Sequence, residues 1–277
     1  MRVVVTGSSG LVGRAVMRAL EQDGHAVSGW SRSGSDGAAV DLLDNDSIAR
    51  GASTALPIDC VVHCAALTHG QTSGEGETTF STNLAMVRNL CRALGDQPRH
   101  WVFTSSVAVY GNCREMTVDS PVNPIGDYAL SKTEGEELLR NEVSHLDIVR
   151  LCPVYDEGHL DNVRKRAFLP GTGCRIKVVP NPATTFCRSE NVGRQIADLV
   201  ARGPAGQHVH HVEGEHLTQL EMTEMFTGPR ILLPAGLFAP AIALLDQIPG
   251  SRGAMLAWNL SKLLRSAPCA AGSRRID

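Results

Sequence analysis

"TGSSGLVG", residues 6–13, decides the fold. It follows a short apolar run, "RVVVT" at 2–6, and opens a helical pattern from Leu11 to about Gln22. Val12, Val16, Ala19 and Leu20 fall on one side of that helix, and Gly24 closes it. Gly7, Gly10 and Gly13 are therefore spaced three apart in a strand–turn–helix. A tight turn needs a residue free to take positive φ. A pyrophosphate needs the backbone close, with no Cβ in the way. A helix N-terminus offers free N–H groups and the positive end of its dipole. In this setting the turn points to a dinucleotide held by Gly7, Ser9, Gly10, Leu11, Val12 and Gly13; a plain glycine turn is the bland alternative.

Working outward, further apolar runs come at 26–30, 60–64, 101–105 and 147–151, with helical patterns between them, notably Phe80 to Leu94 and Tyr128 to Val143. Short strands alternating with helices predict a parallel sheet covered on both faces, and right-handed crossovers make it doubly wound. The expected fold is α/β, a Rossmann-type doubly wound parallel sheet with a small C-terminal substrate lobe. After Arg150 the pattern breaks. Pro153, Pro170, Gly171, Gly173, Pro180 and Pro182 mark irregular chain over 152–188, with one short strand, "RIKVV". A helix from about Glu190 to Ala201 and the strand "QHVHHV" are expected to return to the main sheet. The division is thus a dinucleotide-binding domain over 1–151, joined by 185–212, and a lobe from 152–184 and 213–277, the last stretch read as helix and loop. The tail "AAGSRRID" is expected to be loosely ordered.

A chain of 277 residues with 43% hydrophobic and 20% charged residues holds one large domain, or one domain with an appendage. Net charge is −3 with no long basic run, so nucleic acid is not the expected partner. The N-terminus shows no signal-peptide pattern, and the protein is expected in the cytoplasm. The most apolar late segment, 231–249, is interrupted by Pro234 and Pro240 and reads as a core helix rather than a membrane span. The eight cysteines form no Cys-x-x-Cys pair and read as reduced, buried thiols. His208, His210 and His211 lie on a strand with alternating faces, so no metal is expected.

The second strand, within "GHAVSGWSRSG" at 24–34, has no acid at its end. An acid at position 31 would bind the ribose hydroxyls of NAD and repel the 2′-phosphate of NADP. Ser31 can donate to that phosphate and Arg32 can pair with it, which selects NADP(H) over NAD. In "AAVDLLD", Asp41 stands where a carboxylate can accept from the adenine amino group, and Asp44 is read as the cap of the following helix.

"FTSSVAVYG" at 103–111 follows the fourth long strand, and "YALSK" at 128–132 opens the next helix. Tyr128 and Lys132 are i and i+4 and share a helix face. A phenol is a poor base at neutral pH unless a neighbouring cation favours its phenolate, and a serine hydroxyl can bind the same substrate oxygen. The ordered set "TGSSGLVG", "VDLLD", "HCAA" at 63–66, Asn83, "SSVAVYG", "YALSK" and "RLCPVY" at 150–155 resembles the extended short-chain dehydrogenases/reductases of the NAD-dependent epimerase/dehydratase family. The resemblance spans about residues 1 to 155. It implies Tyr128 as general acid/base, Lys132 as the group that lowers its pKa and binds ribose, and Ser106, rather than Ser105, as the carbonyl-polarising hydroxyl. It further implies that Leu42, Cys64, Ala65, Ala66, Asn83, Ser105 and Pro153 lie on the cofactor, and that the enzyme is a homodimer paired through the helices of Phe80–Leu94 and Tyr128.

Dehydratases of that family carry an acid after the serine strand. Here the run is Ser106–Val107–Ala108, so water elimination by that route is not expected. Between the remaining reactions, Ser31 and Arg32 favour reduction of a keto group, on a nucleotide-linked deoxysugar, over an NAD-dependent 4-epimerase. A non-catalytic dinucleotide-binding protein is the third reading; such relatives often lose the tyrosine or lysine that this chain keeps. Thr68 and Arg188 are the candidate substrate contacts in addition to Ser106 and Tyr128. Thr184 stands where the family places a diphosphate-binding arginine, which leaves room for a smaller carbonyl compound as substrate.

Overall fold

The computed structural model describes residues 1–276 apart from 56, 69–77, 96, 114, 170, 238–239, 241–243, 245–262 and 265. In chain order the elements are β1 (Arg2–Thr6), α1 (Leu11–Gln22), β2 (Ala26–Ser31), β3 (Ala38–Ala39), α2 (Asn45–Ala55), β4 (Cys60–His63) and α3 (Thr79–Leu94). Then come β5 (His100–Ser106), α4 (Asp127–Glu142), β6 (Leu146–Leu151), β7 (Val154–Tyr155), α5 (Asp161–Ala167), β8 (Arg175–Val179), β9 (Ala183–Arg188) and α6 (Ser189–Arg202). The chain closes through β10 (Gln207–His211), β11 (Glu215–Thr218), α7 (Gln219–Glu224), β12 (Arg230–Pro234) and β13 (Gly272–Arg275).

The main sheet runs β13-β10-β6-β5-β4-β1-β2-β3. All its pairings are parallel except β10 with β13. Successive side chains of a strand point to opposite faces, so a sheet covered twice must be apolar at every position. That is what the strands supply. Val3, Val5, Val62 and Val102 pack with Val16 and Leu20 of α1 and Ile196 and Val200 of α6. Val4, Val61, Phe103 and Ile148 face the other way, onto Ile48 of α2, Leu90 of α3 and Leu139 of α4. Each such fully buried aliphatic side chain contributes about 1.5–3 kcal/mol of burial energy. The chain reverses direction across the sheet between β1 and β4, so the glycine turn leaves β1 at the switch point where open α/β sheets bind ligands.

The chain after Arg150 departs from the expectation in three places. The apolar stretch from Ile231 reads as a core helix; in the structure Arg230–Pro234 is strand β12, parallel to β8 with Ile231 opposite Ile176 and Leu233 opposite Val178. A consecutive apolar run suits either geometry, and Pro234, which cannot sit in a helix interior, favours the strand. Positions 238–249 fall almost wholly outside the described residues. The tail is not loose: Gly272–Arg275 forms β13, antiparallel to β10, and closes an otherwise open sheet edge. Residues 152–188 hold three strands and a helix rather than one strand. β7 and β9 join β11 in a second sheet, and β8 pairs with β12 in a third. All eight cysteines are free thiols; Cys60, Cys152, Cys187 and Cys269 are buried, and the others are half-buried. No helix among the described residues is long and apolar enough to cross a membrane.

Candidate active site

Gly7 takes φ +66°, and a Cβ placed on it would stand 2.7 Å from the Cα of Ala65. A Cβ on Gly13 would lie 2.2 Å from the carbonyl oxygen of Gly7. The turn is therefore compact because neither residue has a side chain. Arg14 holds it from outside, donating to the carbonyl of Ser9. Gly10 is the N-cap of α1 and brings no side-chain cap, so the first-turn N–H groups are not spent on one.

The turn forms one wall of a cleft of about 320 Å³. Of the residues expected on the cofactor, Gly7, Ser9, Gly10, Ser31, Arg32, Asp41, Leu42, Cys64, Ala65 and Ala66 line it. Leu11, Val12 and Gly13 stand behind the turn in α1. Trp30, Ser33, Val40, Leu43, Leu67, Thr82 and Met86, which no sequence motif marks, also line the cleft. Thr82 and Met86 are i and i+4 on α3, a spacing visible in the sequence but without a motif to mark it. Ser31 is buried and its hydroxyl accepts from the Gly34 backbone at 3.1 Å, which shapes the turn after β2 and leaves Arg32 exposed at the rim. Asp41 accepts from the Leu43 amide at 2.9 Å, and Asp44 from the Asp46 amide at 2.9 Å, as a helix-start residue does.

Asn83, expected on the cofactor, is not among the residues that line the cleft. It is buried, and its amide clamps the loop after β4: its oxygen accepts from Leu67 N at 2.7 Å, and its nitrogen donates to Leu67 O and to Ser131 Oγ, each at 3.0 Å. Its contribution to the cleft is the path of residues 64–67. His63 beneath them is held at the turn by Thr6 Oγ1 (2.7 Å) and stacks on Phe103; burial, then the nearby Lys132, pushes its pKa down to about 3, so it is neutral.

The second part of the site lies at the carboxyl end of β5. The Ser106 hydroxyl accepts from the Ala108 amide at 3.2 Å and hydrogen-bonds the Tyr128 phenol. Burial raises the Tyr128 pKa above its ordinary value, and the Ser106 bond opposes that rise. Lys132 is buried; its ammonium donates to Thr104 O at 2.8 Å and lies 5.9 Å from the Tyr128 ring centroid. Burial lowers its pKa to about 8, against the pull of Cys64 and Glu136. Cys64, which lines the cleft, thus connects the two parts. Ser105 points away from Ser106 and donates to Glu136 Oε1 at 2.5 Å. Pro153 follows β6, its carbonyl accepting from Cys187 N at 3.0 Å.

The two further candidate contacts belong to different segments of the chain. Thr68 is exposed after β4. Arg188 pairs with Glu215 and lies over the Tyr155 ring at 5.3 Å, at the end of β9. Arg166 of α5 donates to Thr184 Oγ1 at 3.3 Å, so a guanidinium from another element stands beside the position where the resemblance places an arginine.

The model of the NAD dependent epimerase/dehydratase family matches residues 3–189. A dTDP-4-dehydrorhamnose reductase of Mycolicibacterium smegmatis is 27% identical over 161 residues, covering 57% of this chain and 47% of that one. The chain thus spans about half the length of that relative. A methionine adenosyltransferase 2 subunit beta of Danio rerio is 32% identical over 237 residues, 80% of this chain and 72% of the relative. Among solved structures, the UDP-Glc/GlcNAc 4-epimerase of Campylobacter jejuni superposes with a TM-score of 0.68 at 17% identity, over 84% of this chain and 86% of that one. DesIV, a dTDP-glucose 4,6-dehydratase of Streptomyces venezuelae with NAD and TYD bound, gives 0.66 at 23%, over 84% of each chain. At these identities the two structures establish the shared fold.

Proposed function

Since the chain belongs to the NAD dependent epimerase/dehydratase family, we propose that it is an NADP(H)-dependent oxidoreductase that reduces a keto group on a nucleotide-linked deoxysugar, with Tyr128 as general acid. One observation carries the reading: the Ser106 hydroxyl hydrogen-bonds the Tyr128 phenol and the Lys132 ammonium lies 5.9 Å from its ring centroid, while Cys64, which bears on Lys132, lines a cleft that also holds Ser31 and Arg32. The cleft suits a dinucleotide. Gly7 and Gly13, lacking Cβ atoms, let the turn pack against the loop after β4 and onto its own backbone, and the uncapped first turn of α1 offers N–H groups to a pyrophosphate.

Gly7, Ser9, Gly10 and the N-terminus of α1 would hold the pyrophosphate, Ser31 and Arg32 the 2′-phosphate, and Lys132 the nicotinamide ribose. Bound there, the reduced nicotinamide supplies the hydride that reaches the carbonyl carbon. The chain supplies the proton and the polarisation. Ser106 donates to the substrate carbonyl oxygen, and Tyr128 transfers its phenolic proton to that oxygen as it gains charge. The Lys132 ammonium then stabilises the phenolate left behind. The mycobacterial relative's name, a dTDP-4-dehydrorhamnose reductase, supports this reaction class. Absence of an acid at Val107 and Ala108 argues against elimination. We take the protein to be a cytoplasmic homodimer, with half-buried Leu84 of α3 and Leu138 of α4 as its contact surface.

The test is a fluorescence titration with NADPH and NADH, followed by turnover of a dTDP-4-keto-6-deoxysugar with the better cofactor. Tighter, exchangeable NADPH binding and oxidation of NADPH on adding the sugar are expected. Retained NAD without preference for the phosphate points instead to a 4-epimerase. A second reading, a dinucleotide-binding subunit of a larger assembly, is favoured by the Danio rerio relative, which is named as a subunit. NADPH binding without turnover of any ketosugar would support it.

A further inference from the structure

α4 carries a third member of the stripe that begins with Tyr128 and Lys132. Glu136 follows Lys132 by four residues, so all three share one helix face. Glu136 is 1% exposed, a costly place for a carboxylate unless it is fully satisfied. Its Oε1 accepts from Ser105 Oγ (2.5 Å) and Arg150 Nε (2.9 Å), and its Oε2 from Arg150 (2.6 Å) and Arg140 (3.0 Å). Arg150 reaches on to the Tyr110 hydroxyl at 2.9 Å, which meets His211 Nε2 at 2.6 Å. The knot ties α4 to β5, β6 and β10, and Ser105 within it is the neighbour of Ser106 at the carboxyl end of β5.

Two features tie this knot to Lys132. Ser105, held by Glu136, lies between Thr104, whose carbonyl takes the Lys132 ammonium, and Ser106, which bonds Tyr128. The other groups facing Lys132 are the Phe103 ring of β5 at 4.9 Å, Tyr128 of its own helix, and His63 and Cys64 from β4 and the loop after it. Burial keeps His63 neutral, its pKa pushed down to about 3, and pushes the Cys64 thiol up to about 12. Cys64 bears on Lys132 as a negative charge only when its thiol ionises, so near neutral pH Glu136 is the negative charge that does so among the described residues, and Arg150 and Arg140 are the cations it pairs with.

We propose that Glu136 is a positioning residue for the site: its charge keeps Lys132 protonated in a buried setting while its bond to Ser105 fixes the end of β5. This rests on the reading of Tyr128 and Lys132 as the reacting pair. Loss of the carboxylate leaves Arg150 and Arg140 as uncompensated cations behind the ammonium, which then releases its proton more readily.

Lys132, Lys165, Lys177 and Lys262 are the chain's lysines, so ε-¹³C-lysine NMR can follow Lys132 directly, with Lys132→Arg identifying its signal. Glu136→Gln keeps the shape and removes the charge; it is expected to lower the Lys132 midpoint by about one pH unit. Glu136→Asp retains the charge and is expected to restore most of that shift. Arg140→Gln, at a half-exposed partner, removes a cation from the same knot and is expected to raise the midpoint by a few tenths of a unit. Should Glu136→Gln not fold, the sign of the Arg140→Gln shift decides. An unchanged Lys132 midpoint in the folded variants, or shifts of the same sign for Glu136→Gln and Arg140→Gln, would overturn the proposal. The readout needs no substrate, so a missing reductase activity refutes the proposed reaction without touching it. Where turnover is found, its alkaline limb is expected to move with the Lys132 midpoint.

Discussion

A Cβ on Gly7 would sit 2.7 Å from the Cα of Ala65, so the turn after β1 and the loop after β4 touch backbone to backbone. Gly7 also has φ +66°, which L side chains avoid. Gly7→Ala is expected to cost ~2 kcal/mol or more in urea unfolding and to abolish NADPH binding. Gly10→Ala is the control. Its Cβ would meet the Gly7 carbonyl oxygen at 3.2 Å without a positive φ, so it is expected to cost less. Equal losses for the two would show that close approach is not what the turn needs.

Cofactor choice is expected to reside at the end of β2. Ser31 accepts from Gly34 N at 3.1 Å, and an aspartate there can keep that bond while placing a charge on the cleft. Ser31→Asp is expected to weaken NADPH roughly tenfold or more and to spare or improve NADH. Arg32→Ala is expected to weaken NADPH by about the same factor with NADH unchanged. Dissociation constants for both cofactors check the pair, and parallel losses for NADPH and NADH would refute the assignment.

Removing the Tyr128 hydroxyl separates chemistry from binding. Tyr128→Phe is expected to lower kcat by about 10²–10⁴-fold, with the NADPH dissociation constant within about twofold of wild type. Ser106→Ala is expected to cost about 10–10²-fold, since the phenolic proton remains. Stopped-flow NADPH oxidation with titrations on the same preparations gives both numbers. Near-normal turnover in Tyr128→Phe would remove the proton-transfer role.

At the opposite end of the sheet, Asp147 sits between His100 Nε2 (2.7 Å) and His210 Nε2 (2.6 Å), with His208 at 3.8 Å. Burial raises its pKa, but the hydrogen bonds from His100 and His210 outweigh that and hold the carboxyl well below its ordinary value of 3.8. The folded state therefore binds this proton less readily than the unfolded one. The stability it contributes is complete above pH ~4 and is lost as pH falls further. Asp147→Asn is expected to cost ~3 kcal/mol at pH 7, and the gap to wild type is expected to narrow below pH ~4. Urea unfolding from pH 3 to 8 measures this, and a pH-independent gap would contradict it.

The doubly wound sheet was legible because its signals are local. Alternating apolar runs and helical stripes mark each layer, and the helix bounds from Leu11 to Gln22 agree with the structure. Ser106, Tyr128 and Lys132 were legible as a motif. The C-terminal third was not. The apolar run from Ile231 suits a helix or a strand, and its partner, β8, lies more than fifty residues earlier. The tail that forms β13 is polar and reads as a solvated end, because what orders it is the open edge of β10.

The sequence by itself determined the order of elements, the glycine turn and the three residues read as catalytic, since each depends on neighbours a few positions away. Tertiary structure alone decided that Asn83 clamps a loop, that Arg166 stands beside Thr184, and that Glu136 is knotted to Ser105 and Arg150. Those contacts join positions 14 to 31 residues apart on different elements, and whether a polar side chain meets water, ligand or a buried partner is set by packing rather than by chain order.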